Sequence, residues 1–216
     1  MATLKHKAEE ASIVLVGSFN PRIFHPEWFR RHDLISDHDL SDAVVELVHN
    51  ELSKFSLGWC QIEVLHERFV SRTNDASRFD ALRDLVISTF RILEHTPITT
   101  MGINRKMVYS MPSEDVWHHV GHKLAPKDIW QMSLPDPVGL VTLSVQSPRK
   151  DDLPGKINVS LKSATENDII IDINSHIDIP EDEAISPTNI LSEHWNNTLD
   201  HALEIATTTI NEASKQ

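Results

Sequence analysis

The residues best suited to chemistry in this sequence are an amide and a cation within an apolar run. Asn104 and Arg105 lie in ITTMGINRKMVYSM, whose odd-numbered positions are otherwise mostly apolar. If the run is a strand, alternate side chains share a face, so Arg105 lies on the side that packs. A buried guanidinium needs a carboxylate partner or an anionic ligand. The run therefore predicts either a structural ion pair or a binding site that uses Asn104 and Arg105.

Two histidines have a spacing that suits a metal. His118 and His122 are four residues apart in a helix that Ser113 is expected to cap, so both imidazoles could reach one ion. A tetrahedral site needs a third ligand, and His119 points about 100° away from His118. A solvated polar helix face explains the same spacing. We predict no metal centre and keep His118 and His122 as the alternative.

A row of polar residues follows period two near the end of the chain. Asp172, Asn174 and His176 project from one face of a predicted strand, opposite a row of isoleucines. Such a row is typical of the base of a binding site, and also of the wet face of a sheet that is covered on one side. Asn174 and His176 are kept as candidate binding residues.

An aromatic segment near the start of the chain, FNPRIFHPEWF at 19–29, is a candidate contact surface. Its two prolines forbid a single long helix, so its rings must be covered in another way. They pack either onto the core of this chain or onto a partner, such as a second copy. The residues of this segment that we consider for binding are Asn20, Arg22, Phe24 and Trp28.

Common catalytic signatures are absent from the sequence. It contains no G-x-G-x-x-G, Walker A, H-E-x-x-H, G-x-S-x-G or C-x-x-C pattern. Its single cysteine, Cys60, cannot form an intrachain disulfide, which favours a reducing compartment, and no motif surrounds it. We therefore predict no catalytic residue, no cofactor and an inert buried thiol.

The distribution of charge limits the classes of partner. The net charge is −12, and residues 111–216 hold 7 Lys and Arg against 17 Asp and Glu. An acidic half repels a phosphate backbone, so nucleic-acid binding is disfavoured. No secretion signal opens the chain and no apolar run reaches the roughly 20 residues of a membrane span. The sequence thus predicts a cytoplasmic protein without a membrane segment.

Hydrophobic periodicity predicts an α+β fold, with a largely antiparallel sheet and amphipathic helices packed on one face. The segment 41–52 suits a helix or a strand, and 57–73 reads as one strand with a bend near 66–68. Residues 1–11 are predicted to be disordered, and 12–216 to form one domain, optionally as two sheet–helix halves at about 12–96 and 97–216. The clearest elements are helix Ser77–His95, strand Ile98–Met111, strand Val138–Gln146, the meander 156–178 and helix Pro187–Glu212.

Several short stretches resemble an uncharacterised family of short, sporadically distributed bacterial proteins. They are VLVGSFNPRIFHPEWF near the start, FSLGW at 55–59, HTPI at 95–98, GINR at 102–105 and LAPKDIW at 124–130. The resemblance covers about 13–178 and implies no particular activity, cofactor or catalytic residue. The patchy distribution that it implies is typical of accessory and mobile-element genes, including phage-defence loci.

Two functions are compatible with these observations. The first is a non-catalytic interaction or accessory module of a bacterial cytosolic system, associated with phage defence through the resemblance and acting on a protein partner or a second copy. The alternative is a small-molecule-binding or metal-dependent hydrolytic domain that uses Arg105 and nearby histidines.

Overall fold

The computed structural model describes residues 3–165, 167–180 and 186–215, and in them nine strands form one antiparallel sheet. The α+β class is therefore confirmed. The strands are β1 (Ala8–Gly17), β2 (Val44–Val48), β3 (Leu52–Ser56), β4 (Gln61–Leu65), β5 (Arg68–Thr73), β6 (Ile98–Ser110), β7 (Thr142–Pro148), β8 (Gly155–Ser163) and β9 (Asp168–Asp178). The helices are α1 (Pro26–Arg31), α2 (Asp37–Ser41), α3 (Phe79–Ile92), α4 (Glu114–Leu124), α5 (Asp128–Gln131) and α6 (Pro187–Ala213).

The sheet order is β2-β3-β4-β5-β1-β6-β9-β8-β7, so β1 and β6 join its two parts. Their register places Ile13 opposite Ile103 and Ala11 opposite Arg105. The predicted halves 12–96 and 97–216 thus share one continuous sheet, and α3 of the first part packs against α6 of the second. None of the helices within the described residues is long and apolar enough to cross a membrane.

Helices cover one face of this sheet because the strands alternate. In β1, β6, β8 and β9 the odd-numbered apolar side chains are buried, while their even-numbered neighbours, apart from Gly102, retain exposed surface. One core cluster lies beneath α3 and the aromatic segment, and a second lies beneath α6. The opposite face carries the polar side chains, as expected for an antiparallel sheet that is covered on one side.

The first strand starts four residues earlier than predicted. β1 begins at Ala8, the Lys7 N–H donates to the Val108 carbonyl at 2.8 Å, and the Leu4 N–H donates to Asn211 Oδ1 at 2.9 Å. The prediction of disorder through residue 11 was therefore wrong for residues 8–11. Two of these four residues are glutamates, so their composition did not indicate a strand. Glu9 is nevertheless accommodated because it pairs with a buried arginine. Residues 1 and 2 lie outside the described part of the chain.

Two ambiguous segments are resolved in favour of strands. Within 41–52 the chain forms β2, so the helical alternative was wrong. The segment 57–73 contains β4 and β5 rather than one bent strand, because the change of phase near His66 is a hairpin turn. This turn is held against the end of β1, where the Gly17 N–H donates to the Glu67 carbonyl at 3.0 Å.

Candidate functional site

The aromatic segment 19–29 is packed onto the core of its own chain. Phe24 is only 1% exposed, and its ring lies 5.5 Å from Phe69 of β5. Phe29 is fully buried, 5.7 Å from Phe55 of β3. Trp28 is partly buried against the same cluster. The rings are therefore covered without a partner, which is the first of the two alternatives that the sequence left open.

The polar residues of this segment have local roles. The Asn20 side chain accepts from the Arg22 N–H at 3.2 Å and so caps the short 3-10 turn Pro21–Ile23. Pro26 occupies the first turn of α1, where proline loses no hydrogen bond, and His25 Nδ1 accepts from the Trp28 N–H. Arg22 is exposed to solvent. This segment brings Phe24 and Trp28 together and leaves Arg22 apart from them on the surface.

Arg105 lies on the covered face of the sheet and is 8% exposed. Its Nε donates to Glu9 Oε2 at 2.9 Å, its Nη2 donates to the same oxygen, and its Nη1 donates to the Leu199 carbonyl at 2.9 Å. The guanidinium also lies 5.8 Å from the centre of the Phe79 ring. Each guanidinium nitrogen thus has a protein partner, so the geometry favours the structural ion pair.

Two side-chain rings, those of His6 and Tyr109, lie beside the Arg105–Glu9 ion pair. His6 Nε2 lies 3.3 Å from Glu9 Oε1, and the His6 ring meets the Tyr109 ring edge-on at 5.9 Å. Burial raises the pKa of Tyr109, and the Glu9 carboxylate adds to that effect. The Tyr109 hydroxyl lies 3.2 Å from Thr207 Oγ1 on α6. These contacts tie β1, β6 and α6 together.

A row of amide side chains crosses the uncovered face and includes two of the predicted residues. Asn104 of β6 lies directly opposite Asn174 of β9, and the Asn174 amide donates to Asn104 Oδ1. The row continues as Asn158 Nδ2 donates to Asn174 Oδ1 at 2.8 Å and Gln146 Nε2 donates to Asn158 Oδ1 at 2.8 Å. At its other end Asn104 Nδ2 donates to Ser12 Oγ at 3.0 Å. This amide row (Gln146, Asn158, Asn174, Asn104 and Ser12) therefore joins five adjacent strands.

Ionisable side chains flank the amide row. His176 lies next to Asn174 on this face, and its Nε2 is 3.0 Å from Asp178 Oδ1. On the other side, Asp172 lies opposite Lys106 of β6. Although Asp172 keeps accessible surface, desolvation by surrounding protein raises its pKa, Glu10 adds to this effect, and Lys106 opposes it. The structure thus brings Asn104, Asn174 and His176 together on the face opposite Arg105.

The histidines of α4 do not meet a third metal ligand. His118 Nε2 lies 3.5 Å from Glu114 Oε1, one turn earlier, and His122 is exposed in the last turn. Across the described ranges, no group of three His, Cys, Asp or Glu side chains is arranged to hold a metal ion.

Cys60 is buried, and burial raises the pKa of its thiol to about 12, which disfavours the nucleophilic thiolate.

An apolar cavity lies beside α4, at the end of the sheet that carries β7. Its volume is about 250 Å³, it is partly open to solvent, and it is lined by α4, the segment 137–140 and residues of β8 and β9. Val120, Leu124, Leu161 and Ile169 supply much of its wall, and His118 is at its edge. The cavity could not be predicted from the sequence, because segment 137–140 lies next to α4 only in the folded chain.

The edge strand β2 exposes four large apolar side chains. The exposed fractions are 60% for Val44, 51% for Val45, 47% for Leu47 and 41% for Val48. β2 pairs with β3 on one side and is the last strand of the sheet on the other. The sequence VVELV contained the signal, since four apolar residues in five do not alternate as they would on a half-buried strand.

No protein-family model matches this chain, and no curated protein matches it either.

Proposed function

We propose that this chain is a non-catalytic interaction module that associates through the β2 edge, with a second copy as its partner. The observation that carries the proposal is the exposure of Val44, Val45, Leu47 and Val48 on the terminal strand of the sheet. An edge strand presents unpaired backbone N–H and C=O groups that can pair with another strand. Apolar side chains on that strand add burial when such pairing occurs.

The edge has little of the charge that usually prevents pairing. Proteins commonly protect an exposed edge with lysine, proline, a β-bulge or a covering segment. The one charged residue of β2 is Glu46, and its Oε2 lies 2.6 Å from Lys54 Nζ of β3, which offsets its charge. β2 contains neither lysine nor proline.

The irregular shape of the edge limits which strands can pair with it. The register between β2 and β3 shifts between Val45 and Leu47, which bends β2 locally. A partner strand has to follow that bend, and a copy related by a two-fold axis carries the same bend. Two copies would form one continuous antiparallel sheet. A five-residue strand is a small contact, so we expect a dissociation constant on the order of micromolar.

The proposal is tested by measuring the association state of the whole chain by sedimentation equilibrium. A protein concentration of about 10–100 µM suits the weak association expected of a small interface. We expect the unmodified chain to dimerise, and the double variant Val45→Lys/Leu47→Lys to be monomeric with an unchanged melting temperature. The matched control is Val145→Lys on β7, which is 52% exposed on the opposite edge and should remain dimeric. A monomeric unmodified chain, or equal dissociation by the control, would overturn the proposal.

The contacts of Arg105 lend no support to the alternative site built around it, because Glu9 and Leu199 occupy its donors. The association with bacterial phage defence stays a prediction from the resemblance.

A further inference from the structure

The cavity beside α4 has the size of a small apolar ligand. Its volume of about 250 Å³ exceeds the roughly 150 Å³ of an engineered apolar cavity that binds benzene. It is smaller than the roughly 300–1,000 Å³ typical of pockets for drug-sized molecules. A chain or ring of about eight to twelve heavy atoms therefore suits this space.

The wall of the cavity excludes a strongly polar ligand body. Val120 is completely buried, Leu161 is 2% exposed and Ile169 is 5% exposed, and all three line the space. The Trp117 ring also lines it, and its Nε1 already donates to the Asp168 carbonyl at 3.1 Å. Few free polar groups thus face the interior, so the ligand body must be apolar to compensate for lost hydration.

The ionisable groups that line the cavity are basic. They are Lys127, Lys162 and His118, and no carboxylate is among the described lining residues. Two acids lie nearby: Glu114 is 3.5 Å from His118, and Asp172 interacts with Lys162 through its charge. Lys162 is an exposed, even-numbered residue of β8, so its side chain projects from the uncovered face beside Asp172, and Lys127 is the lysine left at the rim of the cavity in a chain of net charge −12. This arrangement complements a single negative charge on an otherwise apolar molecule.

We propose that this cavity binds a small apolar carboxylic acid. The hydrocarbon body lies against Val120, Leu161 and Ile169, and the carboxylate lies at the rim near Lys127. A charge-assisted contact at the rim fixes the orientation of the ligand, while burial of its hydrocarbon supplies most of the affinity.

The test uses octanoate as the probe and isothermal titration calorimetry on the full chain. We expect one saturable site for octanoate and at least roughly tenfold weaker binding of octanol, which lacks the charge. The variant Lys127→Gln should weaken octanoate binding by roughly tenfold or more and leave octanol binding unchanged. Lys150→Gln, in an exposed loop, is the matched control and should bind as the unmodified chain does.

A second variant fills the cavity without removing a charge. Gly121 lines the space, and a Cβ at this position would lie 3.8 Å from the Leu140 Cβ, an ordinary contact. Gly121→Leu should therefore fold, because leucine favours a helix more than glycine does, and its side chain should abolish octanoate binding. Absence of saturable binding, or binding that Gly121→Leu leaves intact, would overturn the site. Equal affinity for octanol and octanoate would overturn the assignment of a carboxylic acid as the ligand.

Discussion

At the scale of single residues, the guanidinium of Arg105 shows how one charge can be accommodated in a sheet core. Glu9 comes from β1, and the Leu199 carbonyl comes from α6, so the ion pair joins the first strand to the last helix. Burial of such a pair is costly unless its remaining donors are satisfied, and here a backbone carbonyl satisfies one of them. The position therefore tolerates arginine because of its neighbours.

Removal of this arginine should destabilise the fold. Arg105→Ala leaves the Glu9 carboxylate, whose side chain is 15% exposed, without its main partner. We expect the free energy of unfolding to fall by about 3 kcal/mol, as for other broken buried pairs. Urea denaturation followed by circular dichroism measures this change. Arg91→Ala on the exposed face of α3 is the control, and equal stability of the two variants would show that the pair does not stabilise the protein.

At the scale of elements, the amide row depends on a glycine. Gly102 lies beside Asn104 on β6, and a Cβ at Gly102 would come within 2.9 Å of Asn174 Nδ2 and 3.2 Å of Asn104 Oδ1. Absence of a side chain at residue 102 thus lets the amides of two neighbouring strands meet. The row crosses β7, β8, β9, β6 and β1, so it adds side-chain hydrogen bonds to the backbone bonds between these strands.

Gly102→Ala should therefore destabilise the sheet, although alanine is usually the better residue within a strand by about 0.5–1 kcal/mol. We expect a net loss of about 1 kcal/mol, because the new methyl group displaces the Asn174 amide from Asn104. Urea denaturation checks this value against Thr100→Ala on the same strand. If the mechanism is correct, Asn174→Ala should cost less in the Gly102→Ala background than in the unmodified chain; an equal cost would contradict it.

Element type and fold class could be predicted from periodicity, whereas contacts between distant elements could not. The apolar stripe of α3 and the alternation in β8 and β9 depend on local spacing, and the structure shows both. The partner of Arg105 was hidden, since Glu9 lies in a segment whose polar composition resembles a frayed end. Strand register across long connections depends on tertiary packing, so neither the amide row nor the cavity at Gly121 follows from spacing alone.

At the scale of the whole molecule, the sheet has one covered face and one open face, and two terminal strands. The net charge of the chain opposes association of two copies, because two molecules of net charge −12 repel each other. The proposed contact is apolar, so it contains no strong ion pair that would offset this repulsion.

Salt should therefore strengthen the proposed dimer. The Debye length falls from about 30 Å at 0.01 M to about 3 Å at 1 M salt, so added salt screens the repulsion between the copies. We expect the dissociation constant to decrease as sodium chloride rises over that range, and sedimentation equilibrium measures it. Weaker association at high salt would instead indicate an interface held by ion pairs, which would contradict an apolar β2 contact.

The pairing of β1 with β6 also has a consequence for synthesis of the chain. β1 ends at Gly17, and its neighbour on one side is not complete until Ser110 has been made. At roughly 5–20 residues per second, the ribosome exposes that side of β1 for about 5–20 s before β6 can cover it. During this interval the nascent chain displays a ten-residue strand with both sides open until β5 has been made, and with one side open after that. Early docking of the aromatic segment and α3 onto β5 would shield the apolar face of the nascent sheet. Only the backbone groups at one edge of β1 would then remain unpaired until β6 is made.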